Sequence, residues 1–334
     1  MKVLHVVHRK KNGGAEKQAE LVKEKLKHRG IECLEFTTFH NSQSKFKVIK
    51  NKNLELYRLI KSEKVNHVII WTPVCFPFAI LARFRFWNIK YTYGFRASYR
   101  IANDIWLFRL LQYIYFYTSN NLLSNVAKEQ LYFPYNILFR WKGNNVSYVK
   151  NIIPIPDKVS EAKPINKKLY FAGRLVKEKG VNNLLNIVEN TSIKVVVSGR
   201  GTLQKEVEVC ADKCDNLIYT GHVSSVIEKL LELNGFFLLS SLGEEGIPNV
   251  VLEALSVGMP VLITDVKEHT FLFPDEIVYY VKPDLSNIQE VIEEAFQFEN
   301  ENRETLIAKR LNYIKDFRKQ SKQHLDTFID ENFK

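Results

Sequence analysis

Two glutamates mark the segment with the clearest chemical potential, residues 244–260, which read EEGIPNVVLEALSVGMP. Glu253 stands inside an apolar run, and a carboxylate that loses its hydration on folding needs a partner or a ligand. Glu245 precedes that run. Carboxylates such as these accept hydrogen bonds from the vicinal hydroxyls of a ribose or hexose. The alternatives are a charge that favours the helix dipole for Glu245 and a structural buried salt bridge for Glu253.

The backbone of the same segment is suited to an anion. Gly246 permits a close approach of the main chain, and Pro248 fits the first turn of a helix. The amides of Asn249 and Val250 would then offer hydrogen-bond donors at a helix N-terminus, where negative charge is favoured.

A second candidate pair is cationic and lies in GRLVKEKG, residues 173–180. Arg174 and Lys179 follow a predicted strand and precede a predicted helix. Arginine can bind phosphate oxygens through two parallel hydrogen bonds, and lysine adds a compact charge. A solvated basic loop is the alternative, because Lys177 lies between them.

Glycines follow two further predicted strands. Gly13 and Gly14 come after the first strand, and Gly199 comes after the strand KVVV. Glycine at a strand end lets the backbone approach a ligand, with the next helix N-terminus favouring negative charge. A plain tight turn would have the same sequence.

Short Val/Leu-rich runs alternate with helical patterns along the chain, which predicts parallel sheets covered by helices on both faces. The 334 residues exceed the usual size of one core, so two doubly wound domains are expected. Four segments are predicted: domain one at 1–155, a proline-containing linker at 156–165, domain two at 166–305, and a C-terminal helix at 306–334 that packs back towards domain one. Ligands of such sheets bind at the carboxyl ends of the strands, which predicts a site in the cleft between the domains.

The positive charge is concentrated in the first half. Residues 1–160 contain 27 Lys and Arg against 10 Asp and Glu, whereas the remainder contains 21 against 27. Aromatic residues are interleaved with the cations between residues 83 and 100, which favours an anionic membrane surface or an anionic acceptor. Nucleic acid is the competing partner, but no zinc-finger, RNP-like or zipper pattern occurs. We therefore expect no nucleic acid.

Other sequence features narrow the class of protein. The N-terminal apolar run is too short for a signal peptide, and residues 68–82 are too short for a membrane span and read as a buried strand, a loop and a helix. Cys210 and Cys214 lack a second ligand pair, so packing is favoured over a zinc site. A cytoplasmic protein is expected, at most peripheral on the inner face of the cell membrane.

The segment EEGIPNVVLEALSVGMPV strongly resembles the signature of the retaining glycosyltransferases of family 4, which have the GT-B fold. The family carries two glutamates before a Gly-x-Pro turn, here Glu245 and Glu253 before Gly258 and Pro260. FAGRLVKEKGVNNLL resembles its diphosphate-binding segment, and GGAEKQ its N-terminal glycine loop. The resemblance covers most of the chain and is best over residues 168–265.

The resemblance implies a role for each candidate residue. Glu253 would hold the ribose hydroxyls, and Arg174 and Lys179 would neutralise the departing diphosphate. Glu245 would contact the transferred sugar, assisted by the amides of Asn249 and Val250. Gly14, next to Gly13 in the same turn, would let the backbone of the first domain touch the phosphates, and Gly199 would lie in the other glycine turn of the donor site.

One position departs from the family pattern. Many relatives have a histidine after the fourth strand of the first domain, whereas this chain reads YTYGFRASYR there. Arg96 is the nearest analogue and would bind donor or acceptor, unless it is a salt-bridged surface arginine.

The function implied is transfer of a hexose-type sugar, with retention, from a nucleoside-diphosphate sugar to a membrane-associated glycan or lipid-linked acceptor in bacterial surface polysaccharide synthesis. A UDP-sugar donor is expected, with neither a metal nor a cofactor. Two alternatives stay open: a sugar-nucleotide epimerase of the same architecture, and a non-catalytic subunit that only binds the sugar nucleotide.

Overall fold

A computed structural model describes residues 1–8, 14–38, 45–71, 75–95, 114, 119–125, 145–243 and 246–333. The chain divides into two compact units. The first unit comprises residues 1–152 and 320–334, and the second comprises residues 153–319. The predicted crossing segment begins at residue 306, whereas residues 306–319 belong to the second unit here.

The first unit contains a parallel sheet with the strand order β2-β1-β3-β4-β5-β6. Its strands are β1 Lys2–Val7, β2 Glu32–Thr37, β3 His67–Ile70, β4 Lys90–Phe95, β5 Asn121–Ser124 and β6 Val146–Tyr148. Its helices include α1 Gly14–His28, α2 Lys45–Ser62 and α3 Phe76–Arg85. These elements confirm the predicted strand and helix within residues 68–82.

Side chains of alternate residues in β1 reach two different cores, as the two-residue period of a strand requires. Leu4 and Val6 pack with residues of α2 and α3. Val3 and Val7 pack with α1 and with the C-terminal residues Leu325, Phe328, Ile329 and Phe333. The last helix therefore completes one face of the first unit.

The second unit contains a parallel sheet with the strand order β12-β11-β10-β7-β8-β9. Its strands are β7 Lys168–Ala172, β8 Lys194–Ser198, β9 Leu217–Gly221, β10 Phe236–Leu239, β11 Val261–Thr264 and β12 Tyr279–Val281. Its helices include α4 Val181–Asn190, α5 Gln204–Lys213, α6 Val226–Leu233, α7 Asn249–Ser256 and α8 Lys267–Thr270; α9, Ile288–Asn332, runs on into the first unit.

Helix α9 is interrupted at Asn302, whose φ of −121° and ψ of 19° are not helical. Next to this break, the carboxylate of Glu299 is fully buried and pairs with Arg303 at 3.0 Å and with Arg310. The hydroxyl of Tyr279 is the third partner of Glu299 and donates a hydrogen bond to it at 2.7 Å. Burial lowers the pKa of Arg303, against the attraction of Glu299. This cluster ties α9 to the second sheet.

Each sheet has one point where the strand order reverses. In the first unit it lies between β1 and β3, and in the second between β7 and β10. Loops diverge to opposite faces of the sheet at such a point and leave a crevice outside the carboxyl ends of the strands. The second crevice is therefore bounded by residues that follow Ala172 and Leu239.

No helix in the described part of the chain is long and apolar enough to span a bilayer.

Candidate functional site

Three helices begin at the same edge of the second sheet. Strands β10, β7 and β8 are neighbours, and α7, α4 and α5 follow them in turn. Because the strands are parallel, the three helix N-termini lie along their carboxyl ends. Each N-terminus carries outward N–H groups and a partial positive charge, so this edge favours an anion.

Lys179 lies in the loop after β7, where it ends a short 3-10 turn, Lys177–Lys179, and this loop is hydrogen-bonded to the end of β10. The hydroxyl of Ser240 donates to the carbonyl of Lys179 at 2.8 Å, and the amide of Leu242 donates to the carbonyl of Glu178 at 3.1 Å. Next to it, Gly180 has a φ of +68°, and a Cβ there would overlap the carbonyl oxygen of Ser240. Only glycine fits this contact, which places the half-buried Lys179 at the reversal point of the sheet.

Arg174 follows β7 and is exposed at the same edge. Its loop is bonded to the loop after β8, because the amide of Leu175 donates to the carbonyl of Arg200 at 3.0 Å. A Cβ at Gly199, whose φ is +147°, would overlap the carbonyl oxygen of Gly173. The two glycine-containing loops therefore pack backbone to backbone. The structure thus brings Arg174, Lys179 and Gly199 together, whereas their roles stay predictions.

Helix α7 carries the second glutamate of the motif. Asn249 and Val250 form its half-buried first turn, as the sequence predicts, whereas Pro248 lies one position earlier than predicted, at the N-cap with an extended backbone. The side chain of Glu253 is 9% exposed to solvent. Its neighbours on the helix, from Val251 to Leu255, are completely buried, so Glu253 lies at the margin of the core.

A buried phenol lies close to that carboxylate. Tyr170 of β7 is 1% exposed, and its hydroxyl has no hydrogen-bond partner within the described residues. Burial raises the pKa of Tyr170, and the charges of Glu253 and Glu232 raise it further. A hydrogen bond from the neighbouring Ser198 would have the opposite effect on this pKa, but the Ser198 hydroxyl is instead bonded to Thr220 at 2.6 Å.

Three predicted site residues, Gly13, Glu245 and Arg96, lie outside the described residues. Gly14 is the first residue of α1 and is exposed at the carboxyl end of β1. That end borders the reversal point of the first sheet, where a ligand contact is expected.

Three residues at the edge of the second sheet were not predicted from the sequence as site residues: Gly180, Ser240 and Arg200. Arg200 is exposed between the two glycines of SGRG and adds a third cation. The glycine before a helix in KEKG was visible in the sequence. The role of Ser240 had no signal, because the contact joins residues sixty-one positions apart.

The described residues contain no set of side chains suited to binding a metal ion. No group of three or more His, Cys, Asp or Glu side chains suited to a metal ion occurs there. Cys210 and Cys214 are both free thiols, with sulfurs 3.9 Å apart.

The segment that carries these cations and helix N-termini is similar in sequence to a known protein family. Residues 166–297 match the family of glycosyl transferases group 1. The matched segment contains β7 to β12 and every described candidate of the second unit. The match covers 132 of the 334 residues, so the similarity to this family is stated for that segment. The two sheets described above have the GT-B fold.

One curated relative is the putative teichuronic acid biosynthesis glycosyltransferase TuaC of Bacillus subtilis (strain 168). It is 33% identical over 143 residues, which are 41% of this chain and 34% of TuaC. The chain thus aligns with about a third of that relative's length.

Two solved structures share the fold over nearly the whole chain. HepE of Anabaena in complex with UDP-glucose is 13% identical, with a TM-score of 0.73, and the match covers 99% of this chain and 100% of HepE. Sucrose-phosphate synthase of Thermosynechococcus elongatus is 14% identical, with a TM-score of 0.77 and the same coverage. At this identity the similarity establishes the fold alone.

Proposed function

We propose that the protein is a retaining, metal-independent hexosyltransferase that uses a nucleoside-diphosphate sugar, with UDP the favoured nucleotide. The observation that carries the proposal is that Arg174, Lys179 and three helix N-termini lie along one edge of the second sheet, beside its reversal point. A diphosphate is the donor group whose charge and size suit such an edge. The UDP-glucose bound by the structural relative HepE supports the choice of donor.

In this proposal the cations stabilise the leaving group. The bond between the anomeric carbon and the phosphate oxygen breaks, and the negative charge that develops on the diphosphate is met by Arg174, Lys179 and the amides of Asn249 and Val250. Glu253 holds the ribose hydroxyls, and Glu245 contacts the transferred sugar. Gly14 and Gly199 bring backbone amides towards the donor.

The acceptor attacks the anomeric carbon from the face that the diphosphate leaves, which retains the configuration. The proton of the acceptor hydroxyl passes to the departing phosphate oxygen, so atoms and charges balance without a metal ion. The proposed acceptor is a glycan or lipid-linked intermediate of bacterial surface polysaccharide. The name of the relative TuaC, a putative teichuronic acid biosynthesis enzyme, supports this class of acceptor. Peripheral contact with the inner face of the cell membrane is proposed as well, as a property separate from the transfer reaction.

A screen of UDP-, GDP- and other sugar nucleotides, first for thermal stabilisation and slow hydrolysis and then with lipid extracts as acceptors, tests the activity. A changed sugar recovered on the nucleotide would instead indicate an epimerase. Binding without any turnover would indicate a non-catalytic subunit.

Arg174→Ala and Lys179→Ala should each lower kcat about a hundredfold or more, the loss typical of a group that stabilises developing charge. Lys177→Ala is the matched control, because Lys177 is an exposed lysine of the same loop and should change kcat little. Equal effects of all three substitutions on kcat would refute the diphosphate assignment.

Glu253→Gln should weaken the binding of UDP by about tenfold or more, because a charged hydrogen-bond acceptor is lost from a nearly buried site. Isothermal titration calorimetry measures this affinity directly. Glu178→Gln, an exposed glutamate of the Lys179 loop, is the control. Unchanged affinity in Glu253→Gln removes the ribose role.

A further inference from the structure

An apolar surface projects from the first unit at the end of α3. Leu81, Phe84 and Trp87 are 48%, 69% and 78% exposed, and they follow one another at intervals of three residues. Phe84 and Trp87 are the two most exposed aromatic side chains in the described part of the chain. We call Leu81, Phe84, Arg85 and Trp87 the docking patch.

The same stretch of sequence also contains aromatic residues that do not belong to this patch. Tyr91 and Tyr93 of β4 are 0% and 1% exposed and form part of the core. The ring of Phe86 is half-buried and packs edge-on against Tyr57 of α2 at 5.8 Å. Packing in the core therefore explains why some of these aromatic residues are present. It does not explain Phe84 and Trp87, which have no role in the core.

The segment that carries Trp87 is held in place. The guanidinium of Arg83 donates to the carbonyl of Trp87 at 2.9 Å and to that of Ile89 at 3.1 Å, and it lies 5.2 Å from the centre of the Tyr91 ring. The amide of Phe86 donates to Ala82 at 2.8 Å. The chain thus fixes two large apolar side chains in an outward position.

The stretch of sequence that contains the patch is positively charged. Residues 51–100 contain nine Lys and Arg but only two acidic residues, Glu55 and Glu63. Both acids are paired elsewhere, Glu55 with Lys52 at 2.7 Å and Glu63 with Lys2 at 3.0 Å. Within the described residues Arg85 has no ion pair, so its charge is available to an external anion.

We infer that the docking patch binds an anionic lipid bilayer, with Phe84 and Trp87 inserted at the level of the headgroups and Arg85 on the lipid phosphates. Tryptophan and phenylalanine next to cations are the residues that bind peripheral proteins to such surfaces. The combination of apolar insertion and an excess of positive charge supplies the two contributions that stable peripheral binding requires. The link from this surface to a lipid-linked acceptor rests on the proposed function, whereas the binding itself does not.

Co-sedimentation with vesicles tests the inference without any substrate. The protein should bind vesicles that contain phosphatidylglycerol much more tightly than vesicles of phosphatidylcholine alone, and added salt should weaken the binding. The double substitution Phe84→Ser with Trp87→Ser should lower the partition coefficient about a hundredfold, because the loss of each inserted side chain should lower it about tenfold. Arg85→Ser should lower it about fivefold.

Matched controls come from the second unit. Phe271→Ser and Phe298→Ser remove aromatic side chains of 53% and 49% exposure, and Lys205→Ser removes an exposed cation. These variants should bind as the parent does. Because the substituted residues are exposed, circular dichroism should show unchanged folding in every variant.

Several outcomes overturn the inference. Equal losses in the Phe84/Trp87 variant and the controls would show that the patch is not the docking surface, and equal binding to both kinds of vesicle would remove the role of charge. A dimer, or a complex with single-stranded RNA, that is lost with Phe84 and Trp87 would assign the patch to that partner instead.

The two proposals can fail separately. Hydrolysis of the sugar nucleotide without vesicles should be unchanged in all of these variants, because none of the substituted residues is assigned to donor binding. If the parent bound vesicles through the patch but turned over no sugar nucleotide, the docking inference would stand and the proposed function would be wrong. The reverse result would leave the transferase and remove the docking surface.

Discussion

Two buried histidines make the first unit sensitive to acid. His5 of β1 stacks on Trp71 with ring centres 5.9 Å apart, and its Nδ1 accepts a hydrogen bond from the indole N–H at 3.1 Å. His67 of β3 stacks on Phe333 at 4.7 Å and is hydrogen-bonded to Thr92. The other ring nitrogen of each histidine has no partner within the described residues. Protonation would therefore bury a positive charge on each ring, and in His5 the added proton would occupy Nδ1, the atom that accepts the Trp71 hydrogen bond.

The magnitude follows from the pKa values. Burial, reinforced by nearby positive charge, lowers the pKa of His5 and that of His67 to about 3, against an ordinary value of about 6.5 in an unfolded chain. Between these values the unfolded state binds more protons, so stability falls as the pH falls below about 6.5. At pH 5 each histidine should cost about 2 kcal/mol, and the pair about 4 kcal/mol, which is a large part of a typical folding free energy of about 5–15 kcal/mol.

Denaturant unfolding followed by tryptophan fluorescence measures this effect in the first unit, because all four tryptophans lie between residues 71 and 141. His5→Asn and His67→Gln keep a neutral hydrogen-bonding group near the nitrogen that each histidine uses. Each should reduce the loss of stability between pH 7 and pH 5 by about 2 kcal/mol, whatever its effect at pH 7.

His28→Gln, at an exposed position in α1, should leave the pH dependence of the parent unchanged. If the parent and the His5/His67 double variant lost stability in parallel over this range, the reasoning from burial would be refuted.

Two further predictions concern the second unit. Gly180→Ala should destabilise the second unit by about 1–2 kcal/mol from the left-handed backbone alone, and by more because the added Cβ overlaps Ser240. The same substitution should weaken UDP binding. Chemical unfolding measures the first effect and calorimetry the second. Glu299→Ala should cost about 3–5 kcal/mol in chemical unfolding, because it leaves the 1% exposed Arg310 without its carboxylate, whereas Glu304→Ala at an exposed position of α9 should be nearly neutral. A small loss in Glu299→Ala would mean that Arg310 finds another partner.

Sequence patterns were sufficient for the elements of both sheets. The alternation of short apolar runs with helical segments predicted strands close to Lys2–Val7 and Lys168–Ala172, and the glycine after α1, Gly30, ends that helix with a φ of +75°. The parallel arrangement also predicted which edge carries the candidate residues, because loops after neighbouring parallel strands meet at one edge.

Local sequence patterns did not predict contacts between residues that are distant in the sequence. The buried cluster of Glu299, Arg303 and Arg310 looks in sequence like ordinary charged residues of a surface helix. Likewise, the aromatic residues between 84 and 93 appear equivalent, yet Tyr91 and Tyr93 are core and Phe84 is exposed. A central parallel strand is buried on both faces, so its sequence has no polar alternation that would separate inward from outward positions.

The division of the first unit between the two ends of the chain has a consequence for biosynthesis. The whole of residues 153–319 is synthesised before Leu325, Phe328 and Phe333, which complete the hydrophobic layer beside β1. The first unit cannot complete its core until these C-terminal residues are available, and until then Val3, Val7 and His67 are incompletely covered. Nascent chains that stall in this interval should therefore expose apolar surface from their N-terminal half and should be the species that chaperones bind.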